Sequence, residues 1–392
     1  MSSSIYWRSL RLLQLEGVLT STTISMPIMN VFFAQKIGMN MAEVGLSQAA
    51  FTLAMLLFNI PTGWLADRFS RRLANMSGDL LAGLGFLGYA FAHTFPEVIL
   101  YEVIIGIGVA LTTGADNALL RAYSEKLGLH YGKVEARTNK YKPIGAALGM
   151  IVGGIIGAYD VRLAVGLTAV PYLLGAACSY LLVEAGERRK TDRHPIRDMA
   201  SIAKKSLYGH SELAWSVLGK AVGSNATHPI IWVLTPLMVL AGVPVAYIGV
   251  GWALTMAGSW LGAHLAEHYA YQLSPWQRYG ISIVALAVCS GTLAISVNIF
   301  TIWIYAGFGV IRGWQASTMT PIVQSFIRRD EISTVMSVAD SLARVLYIPL
   351  VWLFGWLAIA SPQYTMAANI VVFVPLMLLV TYKLKVIAPN AE

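Results

Sequence analysis

The sequence predicts an all-α integral membrane protein of twelve transmembrane helices, six on either side of one long polar segment. Three observations lead there. Only 12% of the 392 residues are charged while 56% are hydrophobic, and soluble domains carry about twice that share of charge. Runs of roughly 20 apolar residues, the length a helix needs to cross a bilayer, recur about twelve times, centred near Ser25, Met55, Leu84, Val109, Gly149, Tyr172, Ile230, Trp252, Leu286, Val310, Leu350 and Val372. The basic residues also divide by side. With both termini and alternate loops in the cytoplasm, that side collects the Lys and Arg of 8–11, 68–72, 126–142, 188–205, 278, 328–329 and 383–385, and the other keeps Lys36 and Arg162.

Each element follows from these patterns. Backbone groups in lipid must pair within their own segment, and the short alternating stretches of a β-barrel are missing, so the runs are helices. The split of positive charge sets the topology, and the net charge of +8 reads as that signal, with no nucleic-acid partner required. The opening MSSSIYWRSLRLLQ lacks a small-residue cleavage site, so the first span is expected to stay in the protein. Cys178 and Cys289 fall in spans of different halves and read as small buried thiols. The polar stretch VEAGERRKTDRHPIRDMASIAKKSLYGHSE follows the sixth span. The expected organisation is an N-terminal bundle over 1–183, a cytoplasmic linker over 184–212 and a C-terminal bundle over 213–392. Six spans, a linker and six more are the layout of a transporter built from repeats.

The decapeptide GWLADRFSRR, 63–72, clusters charge between the second and third spans. Gly63, Asp67, Arg68, Ser70, Arg71 and Arg72 fill every position of G-x-x-x-D-[RK]-x-[GS]-[RK]-[RK], and the chain thereby resembles the major facilitator superfamily. The resemblance implies two six-helix bundles related by a pseudo-twofold axis. It also implies a gating latch in which Asp67 meets the start of the eleventh span, near Glu331. Arg68, Arg71 and Arg72 would anchor the loop on an acid at the foot of the fourth span, with Glu125 as the candidate. The corresponding stretch of the second half, GAHLAEHYAYQLS, is a degenerate copy. It spells H-x-x-E-H at His264, Glu267 and His268, a zinc-peptidase pattern that needs a further ligand and a soluble cleft, so no metal is expected here.

Three other stretches bear on direction and coupling. Gly114, Ala115, Asp116, Ala118, Leu119 and Leu120 resemble a bacterial drug-efflux branch of that superfamily, although Arg121 and Ala122 depart from it. Gly145, Gly149, Gly153 and Gly154 fit the glycine pattern of its antiporters, with Met150 in place of the proline; glycines four apart let helices pack closely. Glu102 stands where the superfamily often has an arginine in the fourth span, and this puts the usual proton arrangement in doubt.

Ionisable groups inside spans are functional candidates by default. The resemblance implies that spans one, four, seven and ten line the cavity. The first half then contributes Glu16, Glu102 and Asp116, and the second contributes Lys220, His228 and Arg312. Asp116 and Glu16 are expected at similar depth, with Asp116 roughly 9 Å from mid-span at a 1.5 Å rise. They are the expected proton carriers. The opposed charges could grip an amphoteric substrate, form gating salt bridges, or pack within their own halves. Asp340 and Arg344, acid first and four apart, read as an intrahelical pair, and Asp79 reads as a helix-bonding residue. The expected function is proton-coupled export of an amphipathic or amphoteric small organic molecule across a bacterial inner membrane. Proton-driven uptake of a siderophore-like or amino-acid-like solute is the alternative, and a non-transporting membrane sensor is the alternative of another class. There is no phosphate-binding G-x-x-x-x-G-K-[ST] run, no cofactor is expected beyond the proton, and the chain is expected to act as a monomer on a small-molecule substrate.

Overall fold

The computed structural model describes residues 3–185, 211–327 and 332–387, and no strand occurs among them. Among the described residues, nine helical runs are long and apolar enough to cross a membrane: Ser3–Ile37, Met41–Asn59, Phe95–Lys126, Tyr131–Tyr159, Val161–Tyr180, Val245–Tyr269, Pro275–Ile295, Val335–Ala360 and Pro362–Val386. Three more runs complete the twelve. They are Arg71–Phe91, the run from Ser211–Thr227 through Pro229–Val233 to Leu234–Leu240, and Thr301–Tyr305 followed by Ala306–Ser325. Spans are numbered below in chain order.

Local chemistry sets where helices begin and bend. Thr94 and Ser274 open the fourth and ninth spans with capping boxes closed by Glu97 and Gln277, each with a proline in the first turn, the arrangement that satisfies orphan N–H groups twice over. Ser70 caps the third span by accepting from the Leu73 N–H. The Asp160 carboxylate accepts from the Arg162 and Leu163 N–H groups at the start of the sixth. Spans one and seven are broken by a tight 3-10 turn, at Met26–Ile28 and Pro229–Val233, and span ten opens on one at Thr301–Tyr305. The first two of these turns hold a proline, which removes a backbone donor from the ladder.

The chain divides into two compact units. One comprises Met1–Met39, Ala50–Arg193 and Val245–Ala253, the other Asn40–Ala49, His194–Pro244 and Leu254–Glu392. In the first unit the third and fourth spans touch backbone to backbone: a Cβ on Gly108 would lie 2.6 Å from the Gly78 carbonyl oxygen. The second span seats on the fourth in the same way. A Cβ on Gly106 would lie 2.7 Å from the Phe51 oxygen, and the Thr62 hydroxyl donates to the Ala110 carbonyl at 3.1 Å. In the second unit the eighth span seats on the tenth through the same device, with Gly309 and Gly313 against the Thr255 and Ser259 carbonyls. Small residues at these crossings replace the hydrophobic drive that lipid does not supply between helices.

The remaining helices of each unit are tied by buried polar pairs. The Asn75 amide donates to the Ser179 hydroxyl across spans three and six at 3.1 Å, and the Asn369 amide to the Ser290 hydroxyl across spans twelve and nine at 3.0 Å. The expected antiporter-like glycines are also accounted for. Gly145, Gly149 and Gly153 face Val18, Thr22 and Ile24 of the first span, and Gly154 faces Ala246 and Gly249.

Candidate functional site

Three carboxylates converge inside the first unit. Glu16 from span one, Asp79 from span three and Asp116 from span four line one cavity of about 160 Å³, together with Thr20, Thr112 and Tyr172. Glu16 and Asp79 are 1% exposed, and their carboxyls lie close enough to act on each other electrostatically. The Ser179 hydroxyl donates to the second oxygen, Oδ2, of Asp79 at 3.3 Å. Among the described residues, Glu16 Oε2 and Asp116 Oδ1 have no hydrogen-bond partner.

Helix geometry explains the convergence. Asn75 and Asp79 stand four apart, so they share a face of span three. Gly78 on the same span and Gly108 on span four bring the backbones into contact, which leaves Asp79 and Asp116 facing one space. Gly175 of span six lies close enough that a Cβ there would be 3.3 Å from Asp79 Oδ2. Toward the fifth span, Lys142 completes the set. It lines an adjoining small pocket of about 20 Å³ with Glu16, Asp116, Asn117, Glu135 and Asn139, and its stem packs on Gly17. The lysine is the one cation that the described residues place beside the acids.

Two sequence candidates are thus brought together and one is not. Glu102 sits fourteen residues before Asp116 on the same continuous helix, roughly 21 Å away at a 1.5 Å rise. It is buried beside the Tyr89 phenol instead. Asp79 and Lys142 are the members that sequence reasoning missed. Asp79 was read as a tie between helices, and it does bond Ser179. The signal for its second role was the polar i, i+4 pair with Asn75 on a span otherwise rich in Gly, Ala and Leu.

In the second unit the cations gather with aromatic rings. His228 lies edge-on to Tyr347 at 5.7 Å between ring centroids. The Tyr347 hydroxyl accepts from the Trp232 indole N–H at 3.0 Å, and the Tyr305 hydroxyl donates to the Ile230 carbonyl at 2.5 Å. Arg312 and Arg344 both act electrostatically on His228, and Arg312 Nε has no hydrogen-bond partner. Lys220 does not join this group. Its ammonium forms an ion pair with Asp340, whose carboxylate also acts on Arg344 of its own helix.

The charged decapeptide makes a contact the sequence did not suggest. Glu184, at the end of the sixth span, accepts from the Ser70 hydroxyl and from the Arg71 and Arg72 N–H groups, at 3.1 and 3.2 Å for the latter two. Arg72 Nη1 donates to the Leu182 carbonyl at 3.3 Å, and its guanidinium lies 5.7 Å over the Tyr180 ring. The acid at this helix start is therefore Glu184, because span six ends directly beside it; Glu125 is exposed at the end of span four. Gly63 and Asp67 lie outside the residues whose side chains are described. Glu331, the expected partner of Asp67, and most of the 184–212 linker also lie outside the described residues.

Twelve apolar helices with charge enclosed among them define a polytopic membrane transport protein. The Major Facilitator Superfamily profile matches residues 17–348, and the chain belongs to that family. The methyl viologen resistance protein SmvA of Salmonella typhimurium is 27% identical over 267 residues, 62% of this chain and 52% of that protein. The multidrug resistance protein MdtH of Aeromonas hydrophila is 28% identical over 160 residues, 41% and 40% of the two chains. An uncharacterised MFS-type transporter of Methanocaldococcus jannaschii is 27% identical over 40% of each chain. The chain thus spans about half or less of the length of these curated relatives. Among solved structures, the nucleoside transporter NupG superposes with a TM-score of 0.80 at 11% identity, covering 98% of this chain and all of that one. A bacterial homologue of the lysosomal transporter Spinster gives 0.69 at 16%, covering 98% and 96%. Both show the fold alone.

Proposed function

We propose that this transporter is a proton-coupled exporter of an amphipathic or amphoteric small organic molecule, and that Glu16, Asp79 and Asp116 carry its proton. The observation behind this reading is the cavity with three carboxylates on its wall and Lys142 beside it. Like charges that close, away from bulk water, repel strongly, and a proton held among them relieves the repulsion. A molecule with a cationic end relieves it equally well. Proton and substrate then compete for one site, which is what exchange of one for the other requires. Resistance in the names of SmvA and MdtH supports the outward direction, and the glycines of span five agree with it. The bilayer is an inner membrane in this reading, with both chain termini on the cytoplasmic side.

The test is transport by the purified chain in proteoliposomes under an imposed pH gradient, with a panel of amphipathic amines and zwitterions. A pH-sensitive dye reports proton movement. The wild type is expected to exchange protons for at least one solute, and Asp116→Asn and Glu16→Gln to lose the dependence on the gradient. Full transport with unchanged pH dependence in both variants would end the proton-site assignment. Movement of solute and proton in the same direction would favour the uptake alternative.

A further inference from the structure

The end of the eighth span gathers three metal-ligating side chains that transport leaves unused. His264, Glu267 and His268 lie on the last turns of Val245–Tyr269, all exposed, with their ligand atoms within 4.8 Å of one another. Residues four apart on a helix share a face, and the residue three along lies beside the first. Spacing alone would make this a common accident. Two further contacts set it apart.

First, Nδ1 of His268 lies 2.9 Å from the His264 carbonyl oxygen. A carbonyl only accepts, so this bond places the ring hydrogen on Nδ1 and leaves the Nε2 lone pair open. A backbone carbonyl fixing the tautomer in this way is the outer support that ligating histidines ordinarily have. Second, the His264 imidazole stacks on the Trp260 indole, one turn earlier, at 5.3 Å and 6° between planes. That stack holds its ring plane, and the two imidazole centroids are 4.4 Å apart. The chain has no lysine or arginine between Lys220 and Arg278, so no ammonium on this helix competes for the carboxylate. The site also stands at a helix C-terminus, the pole that favours a cation.

We propose that His264, Glu267 and His268 bind one divalent transition-metal ion of the zinc class. Two imidazoles, a carboxylate and a water make up a four-coordinate set for Zn²⁺. This is a binding site and carries no peptidase chemistry. It occupies the loop end where the second half has its degenerate counterpart of the 63–72 decapeptide, so a bound ion restores positive charge to a place the sequence left without arginine.

The experiment uses the full chain without a polyhistidine tag, in detergent, stripped with a chelator and titrated calorimetrically with Zn²⁺. One ion per chain is expected. Orienting partners of a ligating histidine are worth about 10-fold to 100-fold in affinity, and loss of a ligand costs no less. His264→Ala and His268→Ala are therefore each expected to weaken binding at least about 10-fold, with a smaller loss for Glu267→Gln. Cu²⁺ loaded in place of Zn²⁺ should show nitrogen couplings in its electron paramagnetic resonance spectrum that change in either histidine variant. Lack of saturable binding, or unchanged affinity in the doubly substituted His264→Ala, His268→Ala chain, overturns the proposal. All three side chains are exposed, and metal-free thermal unfolding checks that the variants fold. The titration does not depend on transport, so the two readings fail separately.

Discussion

Lys220 and Asp340 illustrate how much a residue's role depends on helices other than its own. The ammonium side chain is 19% exposed and the carboxylate 57%, so the pair is partly open to solvent, where ion pairs contribute about 0.2–1 kcal/mol. If the two groups serve only each other, exchanging them should preserve function. Lys220→Asp combined with Asp340→Lys is expected to transport at close to the wild-type rate, while each single variant leaves two like charges facing and is modestly less stable. A swapped chain that is stable but inactive would return Lys220 to the substrate. Spacing along the sequence reveals partners only on the same helix, which is why Asp340–Arg344 was legible and Lys220–Asp340 was not. Glu16 and Asp116 were legible because any carboxylate in an apolar run stands out. Lys142 was not, since it resembles the other basic residues of its loop until the fold sets it against Gly17.

The third span shows the same lesson for a whole element. Arg71, Arg72 and Asp79 interrupt its apolar run, and it is not among the helices that length and apolarity alone assign to the membrane. It is instead fastened at both ends by side chains from elsewhere. Glu184 accepts from the N–H groups of its first turn, and Arg162 Nη1 donates to the Ala90 and Ala92 carbonyls at its close, at 2.8 and 2.9 Å. A carboxylate at the start and a guanidinium at the end both oppose the helix dipole. Glu184→Ala is expected to cost about 0.5–1 kcal/mol. Arg162→Ala should cost somewhat more, about 1–2 kcal/mol, since two charge-assisted bonds are lost. The sites are roughly 30 Å apart along a helix of this length, so the two losses should add within error in the double variant. Denaturant titration in mixed micelles measures all three. A double variant no worse than either single would mean that span three is held by packing alone. In span seven the 3-10 turn at Pro229–Val233 divides the apolar run, and in span ten the turn at Thr301–Tyr305 opens the helix, features that hydrophobicity alone does not mark.

At the scale of the molecule, the loop pattern turns the charge distribution into a topology that can be measured. The connections at 38–40, 92–94, 241–244 and 296–300, with Asp160 and Ser361, are all short, and none contains a lysine or arginine. Alternating with them are the connections at 69–70, 127–130, 181–210, 270–274 and 326–331, whose flanks hold most of the basic residues. Twelve crossings would place both chain ends on one side, and basic residues close to span ends predict that side to be the cytoplasm. The expectation is tested by single cysteines in a chain with Cys178→Ser and Cys289→Ser. A cysteine at Asn298 should react with a membrane-impermeant maleimide added to intact cells, and one at Ser274 should react only after the membrane is permeabilised. The reverse pattern would put the 63–72 decapeptide outside the cell, together with the His264–His268 cluster, and would refute the orientation on which export rests. The expected pattern has a consequence for the carboxylate cavity. Protons would then load Glu16, Asp79 and Asp116 from the far side and leave toward the cytoplasm, the direction in which an inward gradient drives a solute out.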